Sequence, residues 1–107
     1  MSNSRRPKSD ESFELRKAGG QWLKRVREER NLSQSQLAAL LGSDHYTFIS
    51  QIEIGRSRVP PERYRDWAKA LDIDEHEFIC QMLRYYDPAL FSMVLPYMVG
   101  EASHSAV

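Results

Sequence analysis

"LSQSQLAALLGSDHYTFISQIEIG", residues 32–55, reads as two short helices around a glycine turn. Ser33 is a capping residue, and Gln36 three positions later completes a capping box ahead of the apolar Leu37, Ala38 and Leu41. Gly42 ends that helix. Ser43 and Asp44 are both competent caps for the next, which is expected over residues 45–54 and closed by Gly55. The second helix is rich in residues that form helices poorly: Tyr46, Thr47, Phe48, Ile49, Ile52 and Ile54. They are there for shape rather than propensity. Helical spacing gathers Ile49, Ile52 and Glu53 on one face and Tyr46, Thr47, Ser50, Gln51 and Ile54 on another.

Working outward, Trp22, Leu23 and Val26 recur at helical spacing in a helix that ends near Arg30, with Asn31 suited to a left-handed position after it. Its start has two readings: Gly19 and Gly20 break it, or it continues back through Phe13 and Leu15. Downstream, Pro60 and Pro61 seed a fourth helix that runs to Leu71 and turns Tyr64, Trp67, Ala68 and Leu71 inward. Asp74 with Glu77 caps a fifth, to about Tyr86, which buries Phe78, Ile79, Met82 and Leu83. Asp87 as cap and Pro88 at the first helical position open a sixth. No segment alternates with period two, so the fold class is all-α. Two short helices joined by a tight glycine-containing turn, the second with one apolar and one small polar face, make a helix-turn-helix.

With 107 residues, 41% hydrophobic and 28% charged, the chain suits one small core with tails. We expect a disordered basic arm over residues 1–11, a folded domain over 12–86, an apolar C-terminal helix over 87–99 and a disordered tail over 100–107. The single cysteine, Cys80, excludes an internal disulfide, and no Cys/His cluster has metal-site spacing. No metal and no cofactor are expected. The longest apolar-rich run, residues 89–99, is too short to span a bilayer, and no apolar segment follows the basic start, which points to a soluble cytoplasmic protein, on the nucleoid when bound to DNA. His45, His76 and His104 form no arrangement with a nucleophile, and no glycine-rich phosphate loop is present, so an enzyme is not expected. The net charge of zero hides a polarity: residues 1–65 carry 13 Lys and Arg against 8 Asp and Glu, and residues 66–107 carry 2 against 7. One half suits phosphate and the other repels it.

"GQWLKRVREERNLSQSQLAALLG" followed by "FISQIEIGRSRVPP" resembles the phage-repressor-like helix-turn-helix family, the Cro and lambda-repressor type also called Xre. The resemblance covers residues 20–78 and implies a five-helix DNA-binding domain, here with an additional C-terminal helix. The span from Ser43 to Glu53 is one residue longer than the family's usual spacing. A recognition helix enters the major groove with its outward side chains toward base edges. Tyr46, Thr47, Ser50 and Gln51 fit base contacts: Gln51 can bond adenine bidentately and Thr47 can place its methyl on thymine. Gln34, at the start of the second helix, is assigned a phosphate by the resemblance, sometimes with a brace to the start of the recognition helix. Arg56 and Arg58, in the following loop, suit phosphates flanking the groove, with Lys24, Arg25, Arg63 and Arg65 as weaker candidates. Glu53 lies on the inward face, where a carboxylate needs a cation. The resemblance pairs it with Arg27, as a structural ion pair.

These features point to a sequence-specific regulator that binds double-stranded DNA as a homodimer on an inverted repeat, with repression by blocking RNA polymerase as the simplest mechanism. An activator that offers its acidic surface to polymerase is the other possibility within that class. Different classes are an antitoxin whose terminal segment wraps a toxin, and an interaction module whose helix-turn-helix no longer binds DNA. The segment Ser4 to Lys8, "SRRPK", suits a minor-groove arm. Leu90, Phe91, Val94 and Leu95 form an apolar stripe at helical spacing, expected to pair with a second chain, with Tyr85 and Tyr86 beside it; the alternative is that it folds back beside Phe78 and Met82.

Overall fold

In the computed structural model, which describes residues 5–106 and the side chains of residues 11–98, the chain opens with one long helix, α1 (Arg5–Glu29). It begins within the stretch read from sequence as an arm and passes through Gly19 and Gly20 without a break. Both glycines are needed for closeness. A Cβ on Gly20 would run into the main-chain carbonyl of Glu53 and lie 2.6 Å from that of Ile52, and one on Gly19 would lie 2.9 Å from Cβ of Tyr85. Their spacing cost in helix propensity is offset by letting α1 touch two other helices directly.

The elements that follow are α2 (Gln34–Leu40), α3 (Thr47–Glu53), a single 3-10 turn (Pro61–Arg63), α4 (Tyr64–Ala70), α5 (Glu75–Tyr86) and α6 (Pro88–Ala106). There is no strand among the described residues, and none of their helices is long and apolar enough to cross a membrane. α6 continues through residues read from sequence as a tail. The described chain has the all-α, helix-turn-helix architecture with an added C-terminal helix.

Local chemistry explains the boundaries. The Ser33 side chain accepts from the Gln36 backbone N–H at 3.0 Å, and the Gln36 side chain accepts from the Ser33 N–H at 2.7 Å. The box is complete. α2 ends in a Schellman turn: Gly42 has φ 81°, and the N–H groups of Ser43 and Gly42 donate to the carbonyls of Ala38 and Ala39. Asn31 at φ 60° ends α1 in the same way, its N–H donating to Glu28 and that of Leu32 to Arg27. The fourth helix, expected as one piece from the prolines, is divided into the 3-10 turn and α4.

α3 begins later than the sequence suggests. Ser43 and Asp44 do not cap it; Tyr46 is the residue before the first helical turn and makes no side-chain cap, while the Ser43 hydroxyl accepts from the His45 N–H at 3.1 Å. The longer turn is thus spent on a local serine loop, and His45 and Tyr46 lie outside the helix.

The core joins α1 through α5. Trp67, Phe78, Leu23, Leu37, Ile49, Leu71, Met82 and Val59 are its largest fully buried side chains. Trp22 packs at its edge, its ring centroid 6.0 Å from that of Phe78 and 6.5 Å from that of Tyr85. Ile79 and Leu83 are only half-buried. Tyr86, read from sequence as a neighbour of the dimer stripe, belongs to the core: its hydroxyl accepts from the buried N–H of Val59 at 3.2 Å, and burial pushes its pKa up. α6 packs on α5 but leaves Leu90, Met93, Leu95 and Tyr97 exposed, with Phe91 and Val94 half-buried.

Candidate nucleic-acid interface

α3 is held from its inward side by a charged network. Arg27 donates from Nε to Glu53 Oε2 at 2.6 Å and from Nη2 to Glu53 Oε1 at 3.1 Å. Its Nη1 donates to the Leu32 carbonyl at 2.7 Å. Gln34 Nε2 donates to Glu53 Oε1 at 2.9 Å. Arg27 is 7% and Glu53 5% exposed, so two buried charges meet as a bidentate fork, with the Leu32 carbonyl and the Gln34 amide taking a further bond from each. The Glu53 hydrogen bonds hold the Arg27 pKa above its ordinary value. α1, the α1–α2 turn, the first residue of α2 and the last residue of α3 are joined by one set of atoms. Gln34 braces the end of α3, not its start.

On the opposite side, Thr47, Ser50, Gln51 and Ile54 follow one another at helical spacing. Thr47 and Ile54 are exposed and Ser50 and Gln51 half-buried, while Tyr46, exposed, stands just before the helix. No hydrogen bond to another described residue occupies the side chains of Tyr46, Thr47, Ser50 or Gln51. Three of the four base-contact candidates, Thr47, Ser50 and Gln51, therefore share one side of a helix whose other side, through Ile49, Ile52 and Glu53, is buried, and Tyr46 stands just before it.

The phosphate candidates are placed differently. Gln34 is half-buried and engaged on Glu53. Arg56 is exposed just after Gly55, which closes α3 at φ 89° with the Arg56 N–H donating to the Gln51 carbonyl. Arg58 turns away toward the α5–α6 junction. Its Nη2 donates to Asp87 Oδ2 at 2.7 Å, and its guanidinium lies 4.6 Å from the Tyr86 ring centroid. Burial works against the charge on Arg58, and the Asp87 carboxylate and Tyr64 hydroxyl outweigh it, leaving the pKa raised. Asp87, expected as the α6 cap, uses its carboxylate on Arg58 instead.

Among the weaker candidates, Arg63 donates to the Leu41 carbonyl and to Asp66, and Arg65 donates to Glu75. Lys24 and Arg25 are exposed on α1. The side chains of Ser4 to Lys8 lie outside the described residues. Of the stripe Leu90, Phe91, Val94 and Leu95, Leu90 and Leu95 are exposed and Phe91 and Val94 half-buried, and Met93 and Tyr97 are further exposed apolar side chains of α6.

Sequence reasoning missed Lys17 and Gln21, which with Lys24, Gln34, Glu53 and Ile54 line a groove of about 330 Å³ between α1 and the end of α3. A glycine pair inside a helical pattern was the available signal that α1 comes close to another element there.

No match to a curated protein was found. Residues 23–78, from the last two turns of α1 into α5, match the family described as helix-turn-helix, and this is just over half of the chain. The matched region contains the buried Arg27–Glu53 pair, the glycine turn and α3 with its outward polar side. The chain belongs to the helix-turn-helix family of the Cro/C1 type, DNA-binding transcription regulators.

Proposed function

We propose that the protein is a dimeric repressor that binds an inverted repeat in double-stranded DNA in the cytoplasm, with α3 in the major groove. The observation that carries this reading is the contrast between the two sides of α3. One side is fixed by Arg27, Glu53 and Gln34. The other offers polar side chains that no internal hydrogen bond occupies, which suits groups that must reach base edges without reorganising.

Gln51 reads adenine by a bidentate pair, Thr47 contacts a thymine methyl, and Tyr46 and Ser50 touch bases or adjoining phosphates. Arg56 takes a flanking phosphate. Gln34 keeps a second amide hydrogen for a phosphate beyond the one given to Glu53, and Arg58 keeps donors beyond the one given to Asp87. A second copy pairs along α6, where Leu90, Met93 and Tyr97 are exposed on one edge. Two copies then read half-sites about one helical turn apart, which supplies the selectivity a single small module lacks.

The test uses duplexes selected from a random pool by the intact chain. Gln51→Ala should lose about 1–3 kcal/mol of discrimination at one base position while its affinity for unrelated duplex stays close to that of the parent. Equal weakening on every sequence would remove Gln51 as a reader.

A further inference from the structure

We propose that the groove between α1 and the end of α3 is a second phosphate site, in which Lys17, Gln21 and Lys24 hold the backbone of the duplex beside the recognition helix. The proposal rests on the DNA-binding reading above and adds Lys17 and Gln21, which precede the region that matches the family, to a surface that Lys24 continues within it.

α1 starts at Arg5, well before that point, and its early turns do little for the core: from residue 11 to residue 18 no side chain is fully buried, and Leu23 is its first apolar side chain buried in the core. Yet this stretch is clamped. Gly20 lies against the carbonyls of Ile52 and Glu53, and a Cβ on Gly55 would lie 2.9 Å from Cα of Lys17. Arg16 Nε donates to the Gly55 carbonyl at 3.0 Å. The Arg16–Lys17 turn of α1 is therefore seated on the residue that precedes Arg56. A helix extension fixed this closely without filling the core presents side chains in a set place.

Those side chains are basic or amide. Lys17, Gln21 and Lys24 are spaced i, i+4 and i+7, so they share one face of α1, with Gln21 and Lys24 exposed and Lys17 half-buried. Gln34 and Ile54 line the groove with them. The one carboxylate in the lining, Glu53, is already neutralised by Arg27 and bonded by Gln34, so the lysines set the sign of the groove. Lys17 also lies 3.7 Å from the exposed Glu14, a pair weak enough in water for a phosphate to displace. At about 1.5 Å of rise per residue, Lys17 and Lys24 stand roughly 10 Å apart along the helix, the length of about three nucleotides of one strand.

The test is equilibrium binding of the full chain to a mixed-sequence duplex between 50 and 200 mM salt, with circular dichroism to confirm folding. Counterion release predicts a slope smaller by about 0.9 for each lysine removed, so Lys17→Ala/Lys24→Ala should lose about tenfold less affinity across that range than the parent. Gln21→Lys, which adds a cation to the same face, should steepen the slope by about 0.9 and does not depend on the double variant folding. If the parent binds with a salt-dependent affinity and both variants keep its slope, the groove is not a phosphate site and the DNA reading stands. If the parent shows no duplex affinity, the DNA reading itself fails.

Discussion

α3 and α6 both carry apolar residues at helical spacing, and the chain treats them in opposite ways. In α3, Ile49 and Ile52 are buried, Glu53 is paired and Phe48 is half-buried, while the polar side and Ile54 face solvent. In α6, Met93 is 62% and Tyr97 77% exposed, and the helix packs mainly along α5. The inward face of α3 is completed by its own chain, down to the bidentate pair on Glu53. α6 is not, and an apolar edge left in water is the usual mark of a surface that meets another molecule. In the proposed reading, α3 reads DNA and is held rigidly before DNA arrives, whereas α6 joins two chains and is finished only by the second.

The largest effects should come from breaking what completes α3. Arg27→Met leaves Glu53 buried with Gln34 as its one remaining partner and should destabilise the fold by about 3–5 kcal/mol, measured by denaturant titration. Arg27→Met/Glu53→Met should recover much of that, because an apolar pair leaves no unpaired charge. A double variant as unstable as the single one would mean that the network stabilises the fold beyond pairing its own charges.

Next in size is the seat of α1 on α3. Gly20→Ala places a methyl into main-chain carbonyls that cannot move cheaply, and should cost about 3 kcal/mol, lowering the melting temperature by more than about 10 °C. Gly42→Ala is the control: its φ of 81° is strained for alanine, but nothing lies within 4 Å, so about 1–2 kcal/mol is expected. Equal losses at both positions would show that backbone conformation, and not close packing, governs Gly20.

The smallest effect belongs to the tether of α6. Arg58 and Asp87 are both more than a third exposed, so Asp87→Asn should change stability by under about 1 kcal/mol in thermal melts. A loss as large as that of Arg27→Met would make the α5–α6 junction part of the completed domain.

Much of this molecule is legible in its residues. The Ser33–Gln36 box, the stops at Asn31, Gly42 and Gly55, and the inward faces of α3, α4 and α5 follow from local chemistry and periodicity, because each is decided within a few residues of itself. The rest depends on partners distant in the chain. Gly19 and Gly20 read equally well as a break or as helix, and only the approach of Tyr85 and the carbonyls of Ile52 and Glu53 decides. Asp87 looks like a cap until Arg58 claims its carboxylate, and Tyr86 looks like surface until Val59 needs an acceptor. The start of α3 was missed because Ser43, a good cap, closes a loop of its own within the lengthened turn. Lys17 and Gln21 carried no signal of their own, and the Gly19–Gly20 pair beside them marked a close approach without telling which element would meet α1 there.

The central claim is that a reading helix completed within one chain is doubled through an α6 that is not. Met93→Asp/Tyr97→Asp tests it most directly, because both side chains are exposed and their charge should leave the single-chain fold intact. Sedimentation, together with affinity for a selected duplex carrying one or two half-sites, should show a dimeric parent and a folded monomeric variant; the two should match on one half-site, and only the parent should gain on two. A variant that stays dimeric and keeps the two-site gain would contradict the account.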